Sequence, residues 1–517
     1  MQKLPIGIQG FEKLVSNHFL YVDKTDYVYK LVKNNVPYFL SRPRRFGKSL
    51  LLSTLRAYWE GKKHLFKGLA IDKLEDSWTP YPVFYFDFNG HSYKDISLEA
   101  VLDEHLRSWE ALYGTQYQSF SLGERFYKLL VQAYAKEQRG CVILVDEYDK
   151  PLLDVIDNSD LQSHNKDVFK GFFSTLKRAD EFIQFVFITG ITKFSKVSIF
   201  SDLNQLRDIS LNEEFAGICG ISDAELTNYF SEEIAVLSAQ QSLSYEECLE
   251  ALRRTYDGYH FHPNSYGVYN PFSLLNAFSN LEFGSYWFES GTPTFLVKQV
   301  KSTGFDVRKI TDQTLYASEA MLSGSNFEQP DLLSMLYQTG YLTISNFDSR
   351  KRRYTLSFPN EEVKYGFLEC LMPAFTPVVS SGTGKDIFTL DDCIETGNVS
   401  GIRDIFIALF ASIPYSSDDA PFEHYFQTVI YLVFTLLGKM AHCELHTWQG
   451  RIDCVVEASR FVYIFELKRD SSAKEALHQI DELGYALPYA ADHRKLFKIG
   501  INFDSKTRMI DEWELEE

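Results

Sequence analysis

Residues 38–52 run Tyr38-Phe39-Leu40, then Ser41-Arg42-Pro43-Arg44-Arg45-Phe46-Gly47-Lys48-Ser49, then Leu50-Leu51-Leu52. An apolar, β-prone run that enters a Gly-Lys-Ser turn and leaves it as an apolar helix has the local order of a phosphate-binding loop. In that arrangement loop amides and a helix N-terminus face the anion. Arg44, Arg45, Phe46, Gly47, Lys48, Ser49 and Leu50 would line it, with Lys48 reaching the β- and γ-phosphates of a nucleotide and the Ser49 hydroxyl ligating Mg²⁺. The usual first glycine of G-x-x-x-x-G-K-[ST] falls on Arg42, so the loop needs support from elsewhere in the chain.

That support comes from Cys141-Val142-Ile143-Leu144-Val145-Asp146-Glu147, a strand-like run ending in two carboxylates. Asp146 would hold the Mg²⁺ shell and Glu147 would polarise the attacking water, as phosphoryl transfer requires. A further run ends in Thr189-Gly190-Ile191-Thr192, where the hydroxyl of Thr189 or Thr192 would sense the terminal phosphate. Arg178 is a candidate arginine finger toward a neighbouring subunit, although a helix-surface arginine is its plainer meaning. The runs Pro37–Leu40, Val83–Phe88, Cys141–Val145 and Phe185–Ile188 are nearly continuous in apolar residues and alternate with amphipathic stretches. This pattern predicts an α/β doubly wound parallel sheet with crossover helices.

Beyond the sheet, residues 222–296 turn helical and suggest a lid. A helix at Asp331–Gln338 followed by Tyr341–Ile344 and Tyr354–Phe358 resembles a winged-helix element, with Arg350, Lys351, Arg352 and Arg353 at its tip. The tip could grip phosphates or be a solvated turn. Val378–Lys385, rich in Ser and Gly, predicts a linker. The expected organisation is a P-loop core over 1–215, a helical lid over 216–325, a winged element over 326–377, a linker over 378–399 and a last α/β domain over 400–517.

In that last domain Asp453 lies on one expected strand and Glu466 and Lys468 on the next, with twelve residues between Asp453 and Glu466. Glu466 and Lys468, two apart, project from one face, and Phe465 and Leu467 from the other. Two convergent carboxylates beside a lysine suit Mg²⁺-dependent phosphodiester hydrolysis: Asp453 and Glu466 bind the metal while Lys468 orients or deprotonates water. Glu423 on the preceding helix would complete the shell, and Gln479 on the following one would position water or substrate. A strand-edge salt bridge between Glu466 and Lys468 is the plain alternative.

The chain has 517 residues with 52 Lys+Arg against 70 Asp+Glu, a formal charge of −18. This excludes a protein coated in basic residues, so any nucleic-acid contact must use a local patch or a bound cation. With 45% hydrophobic and 24% charged residues the composition is that of a packed globular protein. No signal peptide or 18-residue apolar run is present, so a cytoplasmic location without membrane association is expected. Seven scattered cysteines predict reduced thiols.

The stretches Tyr21-Val22-Asp23-Lys24-Thr25, Ser41 to Leu50, Val145 to Tyr148, Asp257 to Tyr259 and Val268 to Leu275 resemble a bacterial AAA-ATPase-like family that carries a C-terminal nuclease-like domain. The Asp453, Glu466-x-Lys468 arrangement resembles the PD-(D/E)XK nuclease superfamily. The resemblance implies an AAA+-like, ASCE-type P-loop core, ATP and Mg²⁺ as cofactors, and the loop form R-P-R-R-F-G-K-S as usual for the family. Two functions follow as expectations. One is an ATPase coupled to cutting of DNA, with RNA also open, acting as a homo-oligomer; the other is an ATP-dependent switch whose nuclease-like domain only binds.

Overall fold

The computed structural model describes residues 2–517 apart from residues 35, 115–119, 194–199, 201–205, 289–293, 304, 312–313, 323–330, 376–383, 412–421, 437–439, 447–449, 491 and 508. It divides into two compact units: Met1–Glu289 with Leu315–Val363, and Ser290–Thr314 with Lys364–Glu517. Of the expected linker over 378–399, residues 378–383 lie outside the described residues, and Gly384–Thr396 is a helix rather than an irregular tether.

The first unit is built on five parallel strands in the order β2-β3-β4-β1-β5. They are β1 (Tyr38–Ser41), β2 (Val83–Asp87), β3 (Cys141–Asp146), β4 (Ile183–Gly190) and the short β5 (Arg207–Asp208). Every residue of β1 and β3 is buried, as strands covered by helices on both faces must be. Phe86 packs between Phe126 and Phe172 at ring distances of 5.3 and 5.5 Å, which ties β2 to its covering helices. From β1 the chain runs toward the β2 edge, whereas from β4 it passes β1 to reach β5. The direction of winding therefore reverses between β1 and β4, and the crevice beyond their C-terminal ends is the position where open α/β sheets bind ligands.

Helices Asp223–Tyr229, Ser231–Gln240, Tyr245–Tyr256 and Pro271–Asn280 follow the sheet around their own apolar core. Two of them open on capping boxes, Ser222 with Glu225 and Ser244 with Glu247, spelled in the sequence as S-x-x-E. Lys24 bonds Glu225 at 2.6 Å, so the segment before β1 is pinned to this helical layer.

A three-stranded antiparallel sheet, β6-β8-β7, completes the unit: β6 (Leu315–Ala317), β7 (Thr343–Asp348) and β8 (Arg353–Ser357). Between β6 and β7 lies helix Leu332–Thr339, whose Gln338 accepts the Lys193 N–H at 2.7 Å and donates to the Leu322 carbonyl at 2.9 Å. That bond fastens this sheet to the segment leaving β4.

In the second unit the sheet order is β13-β12-β11-β10-β9, with β11 and β12 parallel and the remaining pairs antiparallel. The strands are β9 (Met440–His446), β10 (Arg451–Glu457), β11 (Phe461–Arg469), β12 (Lys495–Asp504) and β13 (Met509–Glu516). Helix Ala473–Glu482 is the crossover between the parallel pair. It lies so close to β12 that a Cβ on Gly500 would sit 2.2 Å from the Ala473 carbonyl oxygen. No disulfide joins the six described cysteines, and among the described residues no helix is long and apolar enough to cross a membrane.

Candidate functional sites

β1 ends at Ser41, and the loop that follows turns through left-handed backbone at Arg45 (φ 68°) and Gly47 (φ 91°). Gly47 is the N-cap of helix Lys48–Trp59, and among the described residues no side chain caps that terminus. Its first amides remain available to an anion, which also interacts favourably with the helix dipole. The Lys48 ammonium is buried and donates to the Arg42 and Pro43 carbonyls at 3.1 Å each, holding the loop closed around it. Phe46 is buried edge-on against Tyr259 at 4.7 Å, which fixes the tip of the loop. Arg44 and Arg45 are exposed, with Arg45 lying 4.3 Å over the Phe272 ring.

Arg42 occupies the position of the missing glycine and is 1% exposed. Its guanidinium donates to the carbonyls of Ser41 (2.9 Å), Ser210 (2.8 Å) and Phe215 (3.1 Å) and stacks 3.8 Å from the Phe261 ring. It is therefore an internal strut of the loop.

Asp146 lies at the end of β3, buried, with Tyr85 donating to its Oδ2 at 3.2 Å and no hydrogen-bond partner for Oδ1 among the described residues. Burial pushes its carboxyl up to about 6, reinforced by the charges of Glu147 and Asp87 and opposed by the neighbouring Ser49 hydroxyl and Lys48 ammonium. Glu147 is half-buried on a left-handed backbone (φ 48°), a conformation costing about 1–2 kcal/mol for a residue with a Cβ.

The bonds around that turn hold it. Tyr148 donates its N–H to the Thr189 carbonyl at 3.1 Å and its hydroxyl to the Thr192 carbonyl at 3.0 Å. Asp149, fully buried, accepts from the Ile191 and Thr192 amides and from the Thr192 hydroxyl, the last at 2.6 Å. The Thr192 hydroxyl is thus engaged, whereas Thr189 Oγ1 is buried without a hydrogen-bond partner among the described residues. Arg178 pairs with Glu124 at 2.8 Å and lies 3.7 Å from the Tyr127 ring, as a helix-surface arginine does.

A largely apolar cavity of about 100 Å³ lies beside Gly47. Val22, Leu50, Leu51, Ile218, Gly220 and Leu275 are among its lining residues, so the segment before β1, the loop helix and the helical layer all contribute. Sequence reasoning missed both this cavity and the Tyr148–Asp149 clamp. The only local signal was Tyr-Asp following Asp-Glu, which has no meaning until β4 is known to lie beside β3.

In the second unit β10 and β11 pair Cys454 with Phe465, which sets Asp453 and Glu466 opposite each other one step further along. Asp453 Oδ2 accepts the Leu467 N–H at 2.8 Å. Lys468 Nζ lies 3.5 Å from Glu466 Oε1 and donates to Gln479 Oε1, while Gln479 Nε2 donates to the same Glu466 oxygen at 2.5 Å. Glu466 Oε2 is buried with no hydrogen-bond partner among the described residues. Burial first, and the Asp453 charge second, push the Glu466 carboxyl up to about 8, against the pull of Lys468. Tyr485, also missed from sequence, bonds both the N–H and the carbonyl of Arg451, at 3.1 and 2.8 Å, and accepts from Gln479 at 3.4 Å. It bridges the strand bearing Asp453 to the helix bearing Gln479.

The opposite face of β11 is apolar, with Phe465 packed against Phe434 at 5.9 Å. Glu423 lies in helix Phe422–Leu436, but its side chain is outside the described residues. Among the described residues no group of three His, Cys, Asp or Glu side chains gathers to hold a metal.

A parallel sheet with a Gly-Lys-Ser loop, a carboxylate-tipped β3 and a hydroxyl-tipped β4 defines the first unit as a P-loop nucleotide-binding domain, and the second unit has the layout of a nuclease-type α/β domain. Residues 5–200 match the family described as "Predicted AAA-ATPase", AAA-ATPase-like, and residues 421–513 match the PD-(D/E)XK nuclease superfamily. The chain belongs to this AAA-ATPase-like family, with a PD-(D/E)XK domain at its C-terminal end. It is 35% identical over 521 residues, 98% of each chain, to a protein of Azotobacter chroococcum mcd 1 described as an uncharacterized protein in the vnfD 5′ region. No solved structure matches.

Proposed function

We propose that the chain is an ATP-hydrolysing P-loop protein whose second unit cleaves phosphodiesters, with DNA as the substrate class and Mg²⁺ serving both sites. The observation that carries this is common to the two units. Each buries a carboxylate with one oxygen unpartnered, Asp146 Oδ1 and Glu466 Oε2, and with its acidity suppressed. An unsatisfied buried acceptor costs about 1–3 kcal/mol, more if charged, and a hard cation with oxygen ligands would offset that cost. Asp146 with Ser49 would hold the ion in the first unit, and Asp453 with Glu466, joined by Glu423, in the second. When bound, Mg²⁺ supplies charge neutralisation at phosphate oxygens.

The remaining chemistry belongs to the chain. Uncapped amides after Gly47 and the Lys48 ammonium bind the β- and γ-phosphates, and the loop from Arg44 to Leu50 wraps them. The apolar cavity beside Gly47 accepts the base. Glu147 orients the attacking water, and Thr189, the unpartnered hydroxyl, contacts the terminal phosphate. In the second unit Lys468, gripped by Gln479 and Glu466, would orient the attacking water, whose oxygen bonds to phosphorus as the bond to the leaving sugar oxygen breaks and that oxygen takes up a proton from solvent.

The test separates the two activities. Lys48→Ala abolishes ATP hydrolysis; Asp453→Ala and Lys468→Ala each abolish Mg²⁺-dependent DNA cleavage and leave ATP hydrolysis at the wild-type rate. A purified protein that cuts neither DNA nor RNA with Mg²⁺, with or without ATP, overturns the nuclease half.

A further inference from the structure

We propose that the turn between β7 and β8 is a docking surface for the phosphate backbone of nucleic acid, carried by the nucleotide-binding unit itself. Arg350, Lys351, Arg352 and Arg353 follow one another in a chain whose formal charge is −18. The turn is rigid: Asp348 Oδ1 accepts the Arg350 and Lys351 amides at 3.1 Å each, and Arg352 adopts left-handed backbone (φ 48°). Residues 349–352 lie between the end of β7 at Asp348 and the start of β8 at Arg353, so the strict alternation of a strand does not apply to them.

Arg350, Lys351 and Arg352 are exposed. Lys351 approaches Asp348 only at 4.0 Å, and neither Arg350 nor Arg352 makes an ion pair among the described residues. Arg353 is the exception, lying 3.7 Å over the ring of Tyr316, which anchors the base of the turn.

Three exposed cations on one turn carry charge complementary to a phosphate backbone, and arginine forks bind phosphate oxygens in pairs. The acidity of the remaining surface is screened beyond about 8 Å at physiological salt, so the turn presents a local positive field. A protein partner would require a buried apolar anchor at the centre of the contact. The exposed side chains of this turn supply only charge.

The inference rests on nucleic acid being the substrate class, and its test distinguishes the two claims. Binding of the full chain to labelled duplex DNA and duplex RNA is followed by fluorescence anisotropy in EDTA, across a salt series. For wild type and for Asp453→Ala the affinity falls with salt. In the double variant Arg350→Gln/Arg352→Gln the log–log salt slope becomes shallower by about 2 and binding at moderate salt weakens about tenfold, with melting temperature and ATP hydrolysis unchanged. DNA alone, RNA alone or both responding in this way identifies the source of the phosphates and supports the surface. A double variant that binds with wild-type affinity and slope overturns the surface while leaving the nuclease claim standing. A wild-type chain that binds neither duplex, or binds an acidic polypeptide through the same arginines instead, overturns it together with the nucleic-acid premise.

Discussion

Arg42 illustrates how a residue that weakens a motif on paper strengthens the loop in space. Its guanidinium satisfies three carbonyls where a glycine would supply nothing, and it is buried where phosphate cannot reach it. Arg42→Gly, which restores the usual pattern, therefore destabilises the protein by about 2–5 kcal/mol through unpaired buried carbonyls and a lost packing volume. Thermal melting checks this, and an unchanged melting temperature with tighter nucleotide binding would contradict it. Glu466 makes a pH prediction of definite sign. Its folded-state pKa, about 8, lies above the ordinary carboxylate value of 4.5, so the native state binds more protons than the unfolded state between those limits. Stability of the metal-free protein falls as pH rises from about 5 to about 8, and Glu466→Gln flattens that slope. Melting curves in EDTA across this range measure both. The chemical identity of these residues was legible in the sequence, but the strut role of Arg42 was not, because its partners lie 168 and 173 positions away.

Among the elements, four core strands, the lysine-bearing helix and the β10–β11 pair could be read from apolar runs and spacing. β5 is two residues long and has too little pattern to register. β13 was hidden for a different reason: Met509–Glu516 is an edge strand studded with carboxylates, a composition that guards an open edge and resembles a solvated tail. Helix Ala473–Glu482 was legible from its amphipathic pattern, but its close approach to β12 was not. Gly500→Ala would force its Cβ into the Ala473 carbonyl, push the helix outward and carry Gln479 away from Glu466 and Lys468. The expected outcome is loss of cleavage with ATP hydrolysis retained, together with a lower melting temperature. Gln338→Leu leaves the Lys193 N–H without its acceptor and costs about 1–3 kcal/mol, read as a lower melting temperature. An unaltered melting curve would show that Gln338 does not fasten the three-stranded sheet.

For the whole molecule, the charge of −18 excludes a generally basic nucleic-acid coat, so the contacts proposed above are discrete ones, at the β7–β8 turn and the carboxylate face of β10 and β11. The central claim is that two buried carboxylates, one in each unit, are cation sites. Mn²⁺ titration of the full chain, followed by electron paramagnetic resonance with ATP present, counts bound ions without requiring a substrate to be known. Wild type should bind two classes of Mn²⁺, Asp146→Asn should lose one class, and Glu466→Gln should lose the other. A count that neither substitution changes would contradict the account.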